Sequence, residues 1–404
     1  MDLIPAAWAG EQLFAMGCHV VGGITINYCE EPETMMENLR EISPTMVIMG
    51  PRQWESICST IQIKMKDADW LKRGIFNLFL PIGLKMASCF FDKKPYPSGL
   101  KIMHTLGKWF VFRHLMDKVG FRNTRVFLTG SSLLSPDTFH FLYALGIKLR
   151  QGYAGSEFGF AIGHYGNDIR HDTIGVPAFN VEVKIQDSEI IVGGPTISPG
   201  YHKDPEKTRE VFKDGWFYTG DAGYLARDGH IVYQDRVIDL ATLANGTKYA
   251  PQFIEGRLRF SPYIRDAIAI GRENHPFIST IINIDFDMVG KWAEEKRIAY
   301  TTFADLSQKE EVANLVRKDI EKINKDVEDR QHIKKYTLLH KEFDADEGEL
   351  TRTRKIRRGI MEERYHDLID AIYNDSEKIV VEAHVKYRDG RTAVIKTDLK
   401  IWNA

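Results

Sequence analysis

The chain changes character at Gly152, and that change limits what it can fold into. Upstream, segments with the apolar spacing of helices alternate with short apolar runs of strand character. "EPETMMENLREI" sets acidic residues in the first turn of a helical pattern, and "SPTMVIMG" follows as a short buried strand closed by Gly50. A helical segment then runs from Trp54 through "ICSTIQIKM", "RVFLTG" is a second strand, and Ser135-Pro136 opens the helix "PDTFHFLYALG". Parallel neighbours need long crossovers, so this alternation predicts an α/β layer around a parallel sheet. Downstream of Gly152 glycines crowd and the strands shorten: "VEVKIQ", "EIIVGG", "WFYTGD", "HIVYQDRVID". From Ser261 the pattern is α+β, with the strands "AIAIG" and "STIINID", long helices through "EEVANLVRKDIEKINKDV" and "KIRRGIMEERYHDLIDAIY", and a terminal hairpin about the Asp-Gly turn in "RDGR".

A length of 404 residues exceeds one ordinary core and predicts two or more domains. The net charge of −2 argues against a dedicated nucleic-acid binder. Cys18, Cys29, Cys58 and Cys89 form no CxxC pair and no zinc spacing, so they read as reduced thiols, small buried apolar groups of a cytoplasmic protein. The opening "MDLIPAAWAG" lacks the basic start and long apolar run of a signal peptide. The most apolar window, Gly74 to Phe91, is interrupted by Pro81 and Lys85. We read it as a buried helix pair, or as an apolar surface making peripheral contact with the cytoplasmic membrane face, in preference to a span.

Four stretches carry residues suited to chemistry. In "QGYAGSEFG", three glycines around Tyr153, Ser156 and Glu157 let the backbone approach a ligand. An aromatic ring, a hydroxyl and a carboxylate so placed can stack a base, bind a phosphate and hold Mg²⁺, although an ordinary glycine turn has the same composition. In "DGWFYTGDAGYLARDGHI", Asp221 follows a glycine at a strand end, where it can accept two ribose hydroxyls or cap its own turn. "YQDRVIDLATLANGTKYAPQFIEGRL" joins the β-rich region to the last domain, a natural hinge, and "LTRTRKIRR" is a basic run.

In this order and at these distances the four stretches resemble the AMP-forming acyl-CoA synthetases of the adenylate-forming superfamily. The resemblance extends along nearly the whole chain. "EIIVGGPTISPGYHKDPEKTREVFKDGWFYTGDAGYLARDGHI" is similar to that family's central run. "INKDVEDRQHIKKYTLLHKEFDADEGELTRTRKIRR" and "SPYIRDAIAIGRENHPFISTIINID" are similar to the C-terminal domain of its long-chain fatty acid group. The resemblance implies that Tyr153 stacks on adenine, that Gly130, Ser131 and Ser132 contact the adenine edge, and that Ser156 touches the α-phosphate. It implies further that Glu157 binds Mg²⁺, that Asp221 holds the ribose with Arg236 beside it, and that Asp239 is the hinge. Asn245 and Gly246 would line the CoA tunnel, and Lys355 would be the catalytic lysine. Arg357 and Arg358 read as a solvated basic face or a phospholipid-facing patch rather than as catalytic groups. The implied substrates are a fatty acid, ATP and CoA, with Mg²⁺ as cofactor.

The implied architecture is a partial large N-terminal domain of mixed and parallel sheets with a β-rich part (1–236), a smaller mobile α+β domain (237–375) and a hairpin-like extension (376–404). The sequence departs from the family in three places. Nothing like "SGTTGxPK" occurs, and "LIPAAWAGEQ" is similar to text just after that loop, so much of the large domain is expected to be missing. Ala154 stands where glycine is usual, and Ile238 where the hinge motif has lysine. Two other readings stay open: a ligase for a different acid or acceptor, and a catalytically incomplete remnant that binds nucleotide or lipid.

Overall fold

The computed structural model describes residues 9–31, 34–130, 134–351, 356–386 and 392–404. The chain forms two compact units, Met1–Ile238 and Asp239–Ala404. The first unit begins with the expected α/β layer. Strands β1 (Met46–Met49), β2 (Val126–Thr129) and β3 (Leu149–Gly155) are parallel, and β4 (Gly159–Gly163) and β5 (Val176–Pro177) extend the sheet antiparallel in the order β1-β2-β3-β4-β5. Between β1 and β2 run the helices Pro51–Lys66, Trp70–Phe91, Ser98–Gly107 and Arg113–Val119. Helix Pro51–Lys66 has proline at its first position, and Trp54, fully buried, packs against the rings of Phe121 and Phe127. Its indole N–H donates to the Leu128 carbonyl at 3.2 Å, which ties helix to strand. Helix Pro136–Ala144 starts at Ser135, whose hydroxyl accepts from the Thr138 N–H at 3.2 Å.

The β-rich part is an antiparallel sheet of β6 (Glu182–Gln186), β7 (Glu189–Gly193), β9 (Trp216–Leu225) and β10 (Ile231–Arg236), in the order β10-β9-β7-β6, with β8 (Phe212–Lys213) beside β9. Ile190 and Val192, alternate residues of β7, lie in an apolar core with Phe217 of β9 and with Phe158, Ile162 and Ile174.

The apolar window differs from expectation. Residues 70–91 form one helix that runs straight through Pro81, not a helix pair. An internal proline costs about 3 kcal/mol, and the packing of the helix's inner face outweighs that cost. Phe76, Phe79, Gly83, Ala87 and Phe91 recur at helical spacing and are buried. Contact with helix Pro136–Ala144 is so close at Gly83 that a Cβ there would lie 2.5 Å from the Ala144 carbonyl oxygen. Of the cysteines, Cys58 is buried, whereas Cys18, Cys29 and Cys89 are half-buried, and none is in a disulfide.

The second unit starts with a short ribbon, β11 (Ala241–Thr242) and β12 (Lys248–Tyr249), and is built on a five-stranded sheet. That sheet contains β13 (Ile264–Ile270), β14 (Ile278–Ile284), β15 (Ile333–Leu338), β16 (Lys378–Lys386) and β17 (Thr392–Asn403), in the order β13-β14-β15-β17-β16. Every residue of β14 is buried, because both faces of the sheet are covered. Ala267 and Ala269 face a core with helices Pro251–Leu258 and Glu310–Lys325, while Ile268 and Ile270 face one with Met361, Leu368 and Ile372. The basic segment after Ile356 forms two helices, Arg358–Arg364 and His366–Tyr373, parted at Tyr365. The terminal hairpin is part of this sheet: β17 pairs with β15 through Tyr336 and Trp402.

Candidate functional site

The carboxyl ends of parallel strands are where α/β sheets open a crevice for ligands. Here Gly130 follows β2 and Gly152 lies in β3, close enough that a Cβ on Gly130 would sit 3.2 Å from the Gly152 carbonyl oxygen. A Cβ on Gly152 would meet the Phe160 ring at 2.6 Å, so glycine is what lets β3 and β4 close up at the site. Ser131 and Ser132, which follow Gly130, lie outside the described residues. β3 continues to Gly155, and Ser156 and Glu157 occupy the turn into β4, with Ser156 exposed and Glu157 half-buried.

Tyr153, Asp221 and Arg236 form one hydrogen-bonded cluster. Asp221 of β9 and Arg236 of β10 are cross-strand partners. The Arg236 guanidinium donates to Asp221 Oδ1 at 2.8 Å and to the Thr219 carbonyl at 3.2 Å, and the Tyr153 hydroxyl donates to Asp221 Oδ2 at 2.6 Å. Thr219 Oγ1 accepts from the Asp221 N–H at 3.0 Å and donates to the Ile190 carbonyl at 2.6 Å, while Glu189 accepts from the Gly220 N–H at 2.7 Å. The Asp221 carboxylate is therefore fixed from both sides and from its own backbone. Each of its oxygens retains a second lone pair suited to a hydroxyl donor. Burial first, and the neighbouring Asp221 charge second, hold the Tyr153 phenol well above its ordinary range, so it remains a donor. Its ring stacks on Phe158 at 5.4 Å.

Glu157 is held separately. The Tyr201 hydroxyl donates to its Oε1 at 2.9 Å, and its carbonyl accepts from the Ser198 N–H at 2.7 Å. Burial, then the Glu157 hydrogen bond, pushes the Tyr201 phenol up to about 12. Among the described residues no group of three or more His, Cys, Asp or Glu is placed to hold a metal ion. One carboxylate is the protein share expected of a Mg²⁺ site whose other ligands are substrate phosphates and water, so Glu157 fits that role and a protein-only cage is not present among these residues. Sequence reasoning missed Tyr201, Thr219 and Glu189. The Thr208 hydroxyl accepts from the Tyr201 N–H at 2.9 Å and holds the Tyr201 backbone.

The remaining candidates belong to the second unit. Asp239 is its first residue, and Ile238 before it is 83% exposed. Asn245 and Gly246 form the turn between β11 and β12, where the Asn245 side chain accepts from the Thr247 N–H at 3.0 Å. Lys355 lies outside the described residues, but both sides of its segment are pinned. Leu350 and Ile356 form a β-bridge, the Arg357 N–H donates to the Glu349 carbonyl at 2.9 Å, and buried Glu349 accepts from Tyr365 at 2.8 Å and pairs with Lys341 and Arg364 at 3.1 Å each. One expectation is corrected here. Arg358 is not on a solvated face: its side chain is 10% exposed, bonds Glu255 at 2.6 Å and the Ala269 carbonyl at 2.9 Å, and reaches Asp239 at 3.7 Å. Arg358 is the first residue of its helix and turns inward, where Arg357, the residue before it, stays out.

Comparison with known proteins fits this geometry. Residues 1–202 match the AMP-binding enzyme family and residues 238–377 its C-terminal domain. The chain belongs to the AMP-binding, adenylate-forming enzymes. It is 28% identical over 355 residues to FadD15, a long-chain-fatty-acid–CoA ligase of Mycobacterium tuberculosis, covering 87% of this chain and 58% of that protein. It is 26% identical to the human long-chain-fatty-acid–CoA ligase ACSBG1, covering 93% of this chain and 55% of that one. The chain thus spans little more than half the length of these relatives. The adenylation domain of a carboxylic acid reductase from Segniliparus rugosus, solved with AMP and a co-purified carboxylic acid, superposes with a TM-score of 0.65 at 19% identity over 92% of this chain and 54% of that one. That likeness establishes the fold: a large N-terminal unit followed by a smaller C-terminal one.

Proposed function

We propose that the chain carries the nucleotide-binding and C-terminal portion of a long-chain fatty acid–CoA ligase. The observation that carries this reading is the Asp221 carboxylate, gripped by Tyr153 and Arg236 in a chain of the AMP-binding family; Asp221 lies inside β9, not at the strand end the sequence suggested. The FadD15 and ACSBG1 relatives support the choice of a fatty acid and of CoA.

In the proposed reaction a carboxylate oxygen of the fatty acid attacks the α-phosphorus of ATP. A new P–O bond forms, and the bond to the bridging oxygen breaks, releasing pyrophosphate. Tyr153 stacks on adenine, with Gly130 and the two serines after it at the adenine edge. Asp221 accepts the ribose hydroxyls and Arg236 keeps its charge in place. Ser156 donates to the α-phosphate, and Lys355 offsets the negative charge that builds there. Bound at Glu157, Mg²⁺ would supply charge neutralisation for the phosphates. The product is acyl-AMP. CoA then attacks the acyl carbon, AMP leaves with the bonding electrons, and the thiol proton passes to solvent. In this scheme Asp239 is the pivot between the half-reactions, and Asn245-Gly246 borders the path of the CoA arm. A lysine supplied from the segment between Leu350 and Ile356 arrives with the second unit, to which both flanks are pinned.

The test has two arms, because the chain spans little more than half of its relatives. AMP binding is measured by calorimetry, and thioester formation from ATP, palmitate and CoA is measured with Lys355→Ala as control. AMP binding with Lys355-dependent thioester supports the whole reading. AMP binding without thioester assigns these residues to the nucleotide half of the enzyme only. No AMP binding by a folded chain refutes the site.

A further inference from the structure

A chain of buried polar side chains in the first unit takes no part in the proposed reaction. His164, Thr173 and His230 are 5%, 1% and 1% exposed. They come from the residue after β4, the segment between β4 and β5, and the residue before β10. The Gln151 N–H of β3 donates to His164 Nδ1 at 3.1 Å. His164 Nε2 lies 3.2 Å from Thr173 Oγ1, Thr173 Oγ1 lies 2.9 Å from His230 Nδ1, and His230 Nε2 lies 3.0 Å from Asp168 Oδ2. Asp168 in turn pairs with Lys93 at 3.2 Å on the surface. One proton arrangement satisfies all of these bonds. A backbone N–H can only donate, so His164 Nδ1 carries no proton, and the ring proton sits on Nε2 and is donated to Thr173. The Thr173 hydroxyl is then free to donate its own proton to His230 Nδ1, and His230 Nε2–H donates to the Asp168 carboxylate. In this arrangement both rings are Nε2–H tautomers, and each group from Gln151 outward donates to the next. Burial first, then His230, lowers His164 to about 4, which keeps its Nδ1 an acceptor.

The relay meets β3 where that strand lacks other anchors. β3 and β4 pair through Gly152 with Gly163 and Gly155 with Gly159, and their register shifts between Tyr153 and Ala154. Glycines offer no side chains to fix which residues oppose one another, so the pairing of glycine-rich strands is weakly specified, and a slip of one residue turns a side chain to the other face. His164 closes this ladder on both backbone groups of Gln151. Its own N–H donates to the Gln151 carbonyl at 3.1 Å, and its ring accepts the Gln151 N–H. Two residues further along β3, the Tyr153 hydroxyl reaches Asp221 Oδ2 at 2.6 Å. We propose that the relay His164–Thr173–His230–Asp168 is a positioning device that pins the register of β3 at Gln151 and so aims Tyr153 at the nucleotide. His164 and Thr173 are then positioning residues, acting through the β3 backbone without touching the ligand. The inference rests on the reading of Tyr153 and Asp221 as the nucleotide site.

Calorimetry of AMP binding to the full chain, well below its melting transition, tests it. His164→Leu leaves the buried Gln151 N–H without an acceptor and is expected to weaken AMP binding about tenfold or more. Asparagine can place an acceptor oxygen near the position of imidazole Nδ1, so His164→Asn is expected to stay within about threefold of the wild type. Thr173→Val keeps the side-chain shape, cuts the relay between the two histidines, and is expected to cost about threefold or more. A merely structural histidine would lower the melting temperature and leave the AMP affinity of the folded chain unchanged. Ring nitrogen-15 spectra at neutral pH give a second readout. His164, assigned by its absence in His164→Asn, is expected as the Nε2–H tautomer, and Thr173→Val is expected to shift both its signal and that of His230. The tautomer and the Thr173 variant decide the matter if His164→Leu does not fold. The inference is overturned, with the nucleotide site left standing, if the folded leucine and valine variants bind AMP as the wild type does, or if the His164 ring is protonated on Nδ1. An asparagine variant as weak as the leucine one overturns it too, because the acceptor is then not what matters. Failure of the folded wild-type chain to bind AMP overturns the nucleotide reading and this inference with it.

Discussion

Replacing Arg358 by Met removes the cation that joins three parts of the second unit. Arg358 bonds the Glu255 carboxylate at 2.6 Å and the Ala269 carbonyl at 2.9 Å, and approaches Asp239 at 3.7 Å. Glu255 is buried, with its side chain 4% exposed, and its Oε1 also accepts from the Ala269 N–H at 2.9 Å. Removing one partner of a buried pair costs about 3–5 kcal/mol. The Ala269 hydrogen bond to Glu255 survives, so the lower end, about 3 kcal/mol, applies. The second unit has about 170 residues, and an unfolding entropy of about 2.1 cal/mol/K per residue converts that loss to a drop of about 8 °C in its transition. Calorimetry of the full chain reads the shift, and peptide-resolved hydrogen exchange assigns it to residues 239–404. Arg358→Met with Glu255→Gln should recover much of the loss, because the buried charge is then gone as well. A transition unchanged within about 2 °C, or a coupling energy below about 0.5 kcal/mol in the double-mutant cycle, would refute the argument that this contact holds the start of the unit in place.

Asp221→Asn is expected to weaken AMP binding by about 10- to 100-fold, since it removes a charged acceptor and the partner of Arg236; calorimetry checks this, and an affinity within threefold, about 0.6 kcal/mol, would place the ribose elsewhere. Glu157→Gln should leave AMP affinity within about threefold while lowering thioester turnover at least about tenfold, and chelation of Mg²⁺ should act in the same direction; equal losses in both readouts would mean that Glu157 is structural. His164 is buried against Thr173, and burial first, then His230, lowers it to about 4. A histidine held below its unfolded value of about 6.5 contributes stability that is full above that pH and is lost as pH falls toward the folded value, a loss of about 3 kcal/mol by pH 4. Histidine ring resonances followed from pH 7.5 to 4.5 should show one that does not titrate above pH 5, and its absence would contradict the assignment.

The parts of the fold that follow from local chemistry could be read in the sequence, and the parts that depend on distant partners could not. β1 and β2 were legible because short apolar runs bounded by Gly50 and Gly130 have few alternatives, and helix Pro136–Ala144 was legible because Ser135-Pro136 is a start signal in itself. Pro81 was misleading for the same reason. Local rules end a helix near proline, whereas the buried inner face of this helix packs against residues distant in the chain, Ala144 among them, and outweighs that cost. The site divides in the same way. Tyr153, Glu157 and Asp221 stood out by residue type and setting, and Arg236 only through the resemblance. Their mutual hydrogen bonds, and the roles of Tyr201 and Thr219, depend on how β3, β9 and β10 meet.

Arg358 and Asp221 present one design problem with opposite solutions. Both belong to charged pairs that link separate elements. In the second unit both members of the Arg358–Glu255 pair are buried, at 10% and 4% side-chain exposure, so the pair fixes structure and its removal is felt as stability. In the first unit the Arg236 side chain is 50% exposed while Asp221 is 12% exposed. Solvent screens such a pair, and its net worth to stability falls to about 1 kcal/mol or less. The cost of ordering Asp221, Tyr153 and Arg236 is then balanced by neither burial nor charge alone. A cluster drawn from three strands, held by backbone hydrogen bonds at Thr219 and Gly220 and open on its arginine side, is an arrangement that gains its full energy only when a ligand completes it. Asp221→Asn should therefore change the melting temperature by no more than about 3 °C without nucleotide and reduce the stabilisation that saturating AMP gives to the wild-type chain. Large destabilisation of the nucleotide-free chain with undiminished AMP stabilisation would reverse the roles assigned to the two pairs.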